Sequence, residues 1–105
     1  METEVYELEE QIFEWNRGKH LSNIRKHGIT FKVAAKAFFD PKAVILDDEE
    51  HSQDEERFIL IGMSERDKIL TVCHCYRSDG DVVRIISARP PNKYEKQVYD
   101  DGGVF

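Results

Sequence analysis

Eight consecutive residues, Val82–Arg89 (VVRIISAR), constrain the fold of this chain more than any other stretch. β-Branched residues fill the run, a turn signal (SDGD, residues 78–81) precedes it and Pro90-Pro91 follows it, so it is predicted to form a strand. Both alternating faces are mostly apolar, which is typical of a central strand that is covered on each side. Strict alternation would place Arg84 and Arg89 on opposite faces.

The presence of Arg84 and Arg89 in so apolar a strand has two explanations, and both stay open. Each guanidinium can reach the edge of the sheet or pair with a carboxylate, because arginine is rarely buried without such a partner. Alternatively, a planar cation on a rigid strand can hold a phosphate group through paired hydrogen bonds. The first explanation is purely structural, and the second predicts a phosphate-binding site.

Length and charge indicate one domain with an acidic start. A chain of 105 residues can bury roughly 65% of the surface that its unfolded form exposes, which suits a single domain. Of the 21 acids and 15 bases, the first 14 residues take six glutamates and no base, so the remainder keeps 15 of each. We therefore divide the chain into an acidic extension, residues 1–12, and one domain, residues 13–105. A neutral body can still carry a local basic patch.

No stretch of the sequence has the features of a membrane span or a secretion signal. The apolar runs are far shorter than the roughly 20 residues of a transmembrane helix, and the N-terminus is acidic where a signal peptide is basic. A cytoplasmic protein without a membrane partner is therefore expected. Cys73 and Cys75 lie two apart on a predicted strand and cannot easily form a disulfide with each other, so reduced cysteines are predicted.

The remaining patterns predict an α+β fold. Asn16 and Thr30 are suited to cap two N-terminal helices, and Gly28 is suited to end the first of them. Residues 4–13 have a helix-compatible spacing and lead into a short extended piece. The main predicted elements are helices at 17–27, 31–39 and 93–100, and strands at 43–46, 57–64, 69–77 and 82–89. Short turns join the last three strands, so N-terminal helices should pack on a four-stranded antiparallel sheet with a C-terminal helix.

The run Cys73-His74-Cys75 suggests a metal site, but strand geometry argues against one. On a strand His74 points away from both cysteines, so the three side chains cannot converge on one ion without a break in the strand. The same geometry argues against a Cys-His nucleophile, and the glycines form no loop that could cradle a phosphate. No metal and no cofactor are therefore predicted.

Arginines at strand ends form the group with the clearest chemical interpretation. Arg57 begins one predicted strand and Arg77 ends the next, so an antiparallel meander can bring them to the same end of the sheet. His51, Glu55 and Glu56 lie close by in the sequence. RNA cleavage without a metal needs a base for the 2′-hydroxyl proton, cations for the charge on the phosphorane and an acid for the leaving oxygen. A network of Arg-Glu salt bridges on the sheet rim explains the same residues without any chemistry.

Several motifs, taken in order, make residues 13–99 resemble the BrnT family of bacterial toxins. These motifs are FEWN at 13–16 with Lys19 and Asn23, KHGI at 26–29 with Phe31, FDP at 39–41, EERF at 55–58 with Gly62, and RIISAR at 84–89 with Glu95 and Tyr99. The resemblance implies a RelE-like fold and an endoribonuclease that blocks translation. It also implies that an antitoxin, a small DNA-binding protein, neutralises the toxin, and that the complex of the two represses its own operon. DNA would then be bound only through the antitoxin.

The resemblance also implies site residues. The implied catalytic residues are Glu56, Arg57, Arg77, Arg84 and Arg89, and the implied RNA-binding residues are Lys26, His27, His51, His74 and Tyr99. The arginines would clamp the transition state, and Glu56 or a histidine would act as the base. A different class of function stays open, namely a catalytically silent module that binds an antitoxin-like partner through its arginines. The acidic extension and Pro90-Pro91 depart from the usual pattern of the family.

Overall fold

The computed structural model describes residues 2–52, 54–65 and 67–103; Met1 of the predicted acidic extension lies outside them. This part of the chain forms six strands and three helices. In chain order they are β1 (Thr3–Leu8), β2 (Gln11–Asn16), α1 (Arg17–His27), α2 (Phe31–Lys36), β3 (Val44–Asp47), β4 (Phe58–Glu65), β5 (Lys68–Arg77), β6 (Val82–Arg89) and α3 (Lys93–Asp100). Single turns of 3-10 helix lie at Ala37–Phe39, Glu49–His51 and Ser78–Gly80.

The strands form one mixed sheet in the order β1-β2-β6-β5-β4-β3. Within the described part, neighbouring strands run antiparallel except β2 and β6, which run parallel. The α+β class is confirmed, as is the antiparallel series from β3 to β6, but the prediction of a four-stranded, wholly antiparallel sheet is wrong. β2 joins the sheet before the two N-terminal helices and pairs with the last strand, which creates the parallel pair.

The first two strands form a hairpin where the sequence suggested helix-compatible spacing, so that prediction is also wrong. Glu9 and Glu10 form its two-residue turn with φ of 47° and 71°, the positive values that primed hairpin turns require. Such turns usually contain Asn or Gly, and the missing signal explains the error. Trp15 of β2 donates a hydrogen bond from Nε1 to Glu4 Oε1 at 2.8 Å and contacts the ring of Tyr6, so this hairpin is anchored to the core.

The sheet has two chemically different faces. We call the side covered by α1 and α2 the helix face and the opposite side the open face. The helix face carries Phe13, Trp15, Val72, His74, Val83 and Ile85, and the open face carries Glu14, Cys73, Cys75, Arg84, Ser87 and Arg89. Phe31 and Ala34 of α2 are fully buried against the helix face. On the open face, Val98 of α3 packs with Ile61 over the end formed by β3, β4 and the start of β5.

α1 has the caps that the sequence predicts and is tied directly to β6. The Asn16 side chain accepts a hydrogen bond from Lys19 N, and Gly28 ends the helix in the left-handed conformation at φ 68°. The buried Asn23 donates to Ala88 O at 2.9 Å and accepts from Ala88 N at 3.0 Å. Because this amide pairs with both backbone groups of one β6 residue, the position of α1 along the sheet is fixed.

His74 lies in the core, which corrects its assignment to RNA binding. Its side chain is fully buried on the helix face, with its ring 4.8 Å from that of Phe38 between centroids. Nδ1–H donates to the carbonyl of Val72 at 3.1 Å, and Nε2 accepts from the hydroxyl of Tyr76 at 3.3 Å. A side chain enclosed in this way cannot contact RNA, and the alternation that separates it from the two cysteines is confirmed.

We expect the stability of the fold to decrease between pH 7 and pH 5 because of His74. Burial lowers the pKa of His74 below its ordinary value of 6.5, although the hydrogen bond to Val72 opposes the shift. As the pH falls below 6.5, the unfolded chain takes up a proton that the folded chain does not, so the free energy of unfolding falls by up to about 1.4 kcal/mol per pH unit. Urea denaturation of a His74→Phe variant should show a flatter profile; an unchanged slope would assign the effect to other groups.

Candidate active site

A β-bulge in β6 brings two of the predicted catalytic arginines to the same face of the sheet. The register between β5 and β6 shifts at Cys73 and His74, which leaves Ile86 as an extra residue in β6. The extra residue changes the parity of the strand, so Arg84 before it and Arg89 after it both project to the open face. The prediction that they lie on opposite faces is wrong, because strict alternation assumes a strand without a bulge.

A cleft of about 430 Å³ lies on the open face, between the segment that links β3 to β4 and the first turn of α3. We call it the arginine cleft. The residues that matter for its chemistry are Asp48, His51, Arg57, Cys73, Ser87 and Arg89. Three of the ten predicted site residues, His51, Arg57 and Arg89, thus line one cleft although they come from separate parts of the chain.

Arg57 is held in the cleft by its backbone, while its side chain stays available. Ser52 Oγ donates to Asp48 O at 2.7 Å and accepts from Arg57 N at 2.9 Å, which closes the segment before β4 into a compact loop. Asp48 N also donates to Arg57 O at 2.9 Å. Among the described residues, no carboxylate lies within ion-pair distance of the Arg57 guanidinium, so this cation is free to meet an anionic ligand.

Arg89 is oriented by a nearly buried carboxylate. Its two terminal nitrogens donate to the two oxygens of Glu95 at 2.7 and 2.8 Å. Glu95 also accepts from Asn92 N in a capping box at the start of α3, and from the hydroxyl of Thr71. Burial alone would raise the pKa of Glu95, but the hydrogen bonds from Arg89, Asn92 and Thr71 outweigh it and lower the pKa. The side chain of Arg89 remains 38% exposed, so its outer edge can still contact a ligand.

Asp48 and His51 form a hydrogen-bonded pair at the mouth of the cleft. His51 Nδ1 lies 3.0 and 2.9 Å from the two carboxylate oxygens of Asp48. A carboxylate only accepts, so Nδ1 carries a hydrogen, and in the neutral form of the ring Nε2 has a free lone pair. The carboxylate is nearly buried, whereas the side chain of His51 is 60% exposed. Sequence reasoning missed Asp48; its signal is an acid three residues before a histidine, which one helical turn brings together.

Cys73 lies beside this pair but is not a nucleophile. Its thiol donates to Asp48 Oδ2 at 3.5 Å. Burial, together with the negative charge of Asp48, raises the pKa of Cys73 to about 11, so the thiol keeps its proton at neutral pH. Its hydrogen bond instead helps to fix the carboxylate that orients His51.

The other two predicted catalytic arginines lie on the open face beside the cleft and are paired with acids. Arg77 forms an ion pair with Glu55, and Arg84 forms one with Glu14 of β2. Neither arginine lines the arginine cleft. With Arg89 bound to Glu95, three of the four predicted arginines therefore have an internal carboxylate partner.

Two further predicted residues lie away from the cleft. Glu56 is exposed in the segment before β4 and does not line the cleft. Tyr99 is nearly buried in α3, and its hydroxyl donates to Asp40 Oδ2 at 2.6 Å. Burial and the Asp40 carboxylate raise the pKa of Tyr99 to about 12. The hydroxyl of Tyr99 is engaged in holding α3 to the rest of the fold, and the residue lines neither cleft.

A second cleft continues from the first onto α1. It has a volume of about 320 Å³ and includes Lys19, Lys26 and His27. Ile86 and Ser87 of the bulge line both clefts, so the two form a continuous surface. The predicted RNA-binding residues Lys26 and His27 thereby lie on the same continuous surface as Arg57 and Arg89.

The described part of the chain has neither a metal-binding cluster nor a membrane-spanning helix. No group of three or more His, Cys, Asp or Glu side chains there has a geometry that could hold a metal ion. None of the helices there is long and apolar enough to cross a membrane.

The fold agrees with what comparison with known proteins shows. Residues 15–95 match the family model described as the ribonuclease toxin BrnT of type II toxin-antitoxin systems, and the chain belongs to this family. The family implies ribonuclease activity and an antitoxin partner. In structure the chain is similar to the Brucella abortus ribonuclease toxin BrnT, determined by crystallography at 1.1 Å. The TM-score is 0.57 with 21% sequence identity, over 75% of this chain and 94% of the Brucella chain. No curated protein sequence matches the chain.

Proposed function

We propose that this toxin is a metal-independent endoribonuclease that inhibits translation by cutting RNA in the arginine cleft. The observation that carries the proposal is the convergence of Arg57, Arg89 and the Asp48-His51 pair in one open cleft. Two cations and an oriented imidazole supply the charge stabilisation and the proton acceptor that RNA cleavage by its own 2′-hydroxyl needs. The cytoplasm, where RNA is translated, is the expected place of action.

The proposed reaction is an internal transfer at one phosphodiester. Nε2 of neutral His51 takes the proton of the 2′-hydroxyl, the 2′-oxygen forms a bond to phosphorus, and the bond from phosphorus to the 5′-oxygen breaks. The departing 5′-oxygen takes a proton from water, and His51 returns its proton to solvent. Arg57 and the exposed edge of Arg89 stabilise the charge on the phosphorane oxygens. The products are a 2′,3′-cyclic phosphate and a 5′-hydroxyl.

The RNA strand on one side of the cut is proposed to follow the second cleft. Lys26 and His27 of α1 lie along this path, where Lys26 can neutralise a phosphate and His27 can donate a hydrogen bond to one without reading the sequence. Arg77 and Arg84 line neither cleft and must exchange an internal carboxylate for a phosphate before they can contribute. We therefore assign them a weaker role than Arg57, which has no carboxylate to displace.

A catalytically silent module that only binds the antitoxin is the second candidate. It is favoured by the ion pairs of Arg77, Arg84 and Arg89 with acids of the same chain, since paired cations contribute less to RNA binding. Under both proposals the antitoxin is a small DNA-binding protein, and the complex binds the operon DNA through it.

An assay of purified protein on RNA in the presence of excess EDTA distinguishes the endoribonuclease from the silent module. The enzyme should cut RNA to fragments that end in 2′,3′-cyclic phosphates, and a substrate with a single 2′-deoxy sugar at the cut site should resist. Added protein should also stop translation in a cell-free extract. Cleavage that appears only after Mg²⁺ is added would refute metal independence, and folded protein that leaves RNA intact in all conditions would favour the silent module.

A further inference from the structure

The hairpin strand β1 leaves one side of its backbone open. Among the described residues, β1 pairs only with β2. The two-residue turn and the hydrogen bond from Arg17 N to Glu2 O at 3.0 Å fix which residues pair inward. Even-numbered residues of β1 exchange hydrogen bonds with β2, so Thr3, Val5 and Glu7 direct their N–H and C=O groups away from the sheet.

The backbone of this edge is not blocked. Proteins commonly place charged residues, proline or a bulge on an exposed edge to prevent pairing with another chain. β1 has no lysine and no proline, and its six residues pair with β2 in an unbroken register. The side chain of Val5 is 69% exposed beside the open backbone groups, and that of Ile12 on β2 is 40% exposed. The edge therefore offers both hydrogen bonds and apolar contact to an incoming strand.

The negative charge of β1 determines which kind of segment can pair with this edge. β1 and its flanks carry glutamates at positions 2, 4, 7, 9 and 10, and the first basic residue is Arg17. A second copy of the chain that paired through its own β1 would bring Glu4 and Glu7 close to the same acids of its partner, and like charges on adjacent strands are destabilising. The edge therefore suits an extended segment with lysine or arginine.

We propose that β1 receives an extended, lysine- or arginine-bearing segment of the antitoxin as a seventh strand of the sheet. β1 and most of β2 precede residue 15, where the match to the family model begins, so this docking edge belongs to the part of the chain outside that match. The added strand would lie three strand positions from β6, about 14 Å away, and would hold the partner without filling the arginine cleft. The inference does not depend on the proposed catalysis.

The test uses the full-length chain and a short peptide of alternating lysine and valine as the probe. With the peptide present, amide hydrogen exchange at Thr3, Val5 and Glu7 should slow at least about tenfold, while exchange at Glu4 and Tyr6, which already pair inward, should change little. A matched peptide of alternating glutamate and valine should give no protection. A lysine/valine peptide N-methylated at every residue keeps its charge but has no backbone donors, and its affinity should fall at least about tenfold.

A protein variant completes the test. Val5→Pro removes one outward donor without changing the charge, so peptide affinity should fall while circular dichroism and RNA cleavage stay as in the wild type. Equal binding of the N-methylated peptide and the unmodified one would overturn the proposal, because attraction between charges would then explain the binding. Concentration-dependent dimers that Val5→Pro abolishes would also overturn it, by identifying a second copy as the occupant.

Discussion

Replacing His51 by glutamine is expected to lower the rate of RNA cleavage by about 10²- to 10⁴-fold, the usual contribution of a general base. The imidazole is the group in the arginine cleft whose free lone pair can take the 2′-hydroxyl proton. Because the side chain is 60% exposed, its replacement should leave the free energy of unfolding nearly unchanged. Initial rates on a single-site RNA substrate, together with urea denaturation, measure both quantities.

Two companion variants give this prediction its control. His27→Gln removes another exposed histidine near the RNA path and should lower the rate only a few-fold, because that residue is proposed to bind and not to catalyse. Asp48→Asn should lower the rate less than His51→Gln and also change the dependence of the rate on pH, since Asp48 acts through the orientation of His51. Full activity in His51→Gln would remove His51 as the base and return Glu56 to consideration.

Arg57→Gln and Arg89→Gln are both expected to lower the cleavage rate by about 10²- to 10³-fold, but only the second should weaken the fold. Arg57 makes its structural hydrogen bonds through its backbone, which the substitution keeps. Arg89 instead compensates the nearly buried carboxylate of Glu95, and its loss should cost about 2 to 3 kcal/mol of unfolding free energy. The cost is below that of a fully buried pair because the guanidinium is 38% exposed.

A double variant separates the two effects of Arg89. If the ion pair is the cause of the lost stability, Arg89→Gln combined with Glu95→Gln should cost less than the sum of the single changes. The cleavage rate should stay low in the double variant, since the cation is still absent. If Arg57→Gln destabilises the fold as much as Arg89→Gln does, Arg57 is a structural residue, and the silent module becomes the better explanation.

Local sequence signals predicted α1 and α3 well, whereas α2 ends at Lys36, three residues before the predicted end. Asn16 and Gly28 bound α1 at the predicted residues, and Asn92 caps α3 through a capping box. These elements are predictable because a cap acts within one helical turn and needs no distant partner. The turn at Gly80 and the two prolines after Arg89 likewise fixed the bounds of β6.

The errors arose where distant contacts decide the structure. The glutamate-rich hairpin is stabilised by Trp15, which binds Glu4 and contacts Tyr6, and no local signal reveals that support. The bulge at Ile86 follows from pairing with β5, so alternation within β6 alone could not reveal it. The parallel pairing of β2 with β6 joins strands about 70 residues apart, which local periodicity does not report.

The sequence predicted which types of residue form the candidate site, but not which particular residues form it. The sequence indicated arginines with a nearby acid or histidine, and the structure brings Arg57, Arg89 and His51 into one cleft. The sequence could not distinguish the exposed His51 from the buried His74, because the burial of a side chain on the sheet depends on which face α2 covers. Asp48 was missed because its signal, an acid three residues before a histidine, lies among several neighbouring acids, and only the burial of its side chain distinguishes it from them.

The bulge at Ile86 also makes the site depend on how β6 pairs with β5. Arg84 and Arg89 are five positions apart, so regular alternation would turn one of the two guanidinium groups toward the packed interior, and the extra residue brings both to the open face. A strand shortened by Ile86 alone would need no bulge, because residues four apart share a face. The site therefore requires spacing and bulge together, and losing either one alone would separate the two arginines although every chemical group of the cleft would still be encoded.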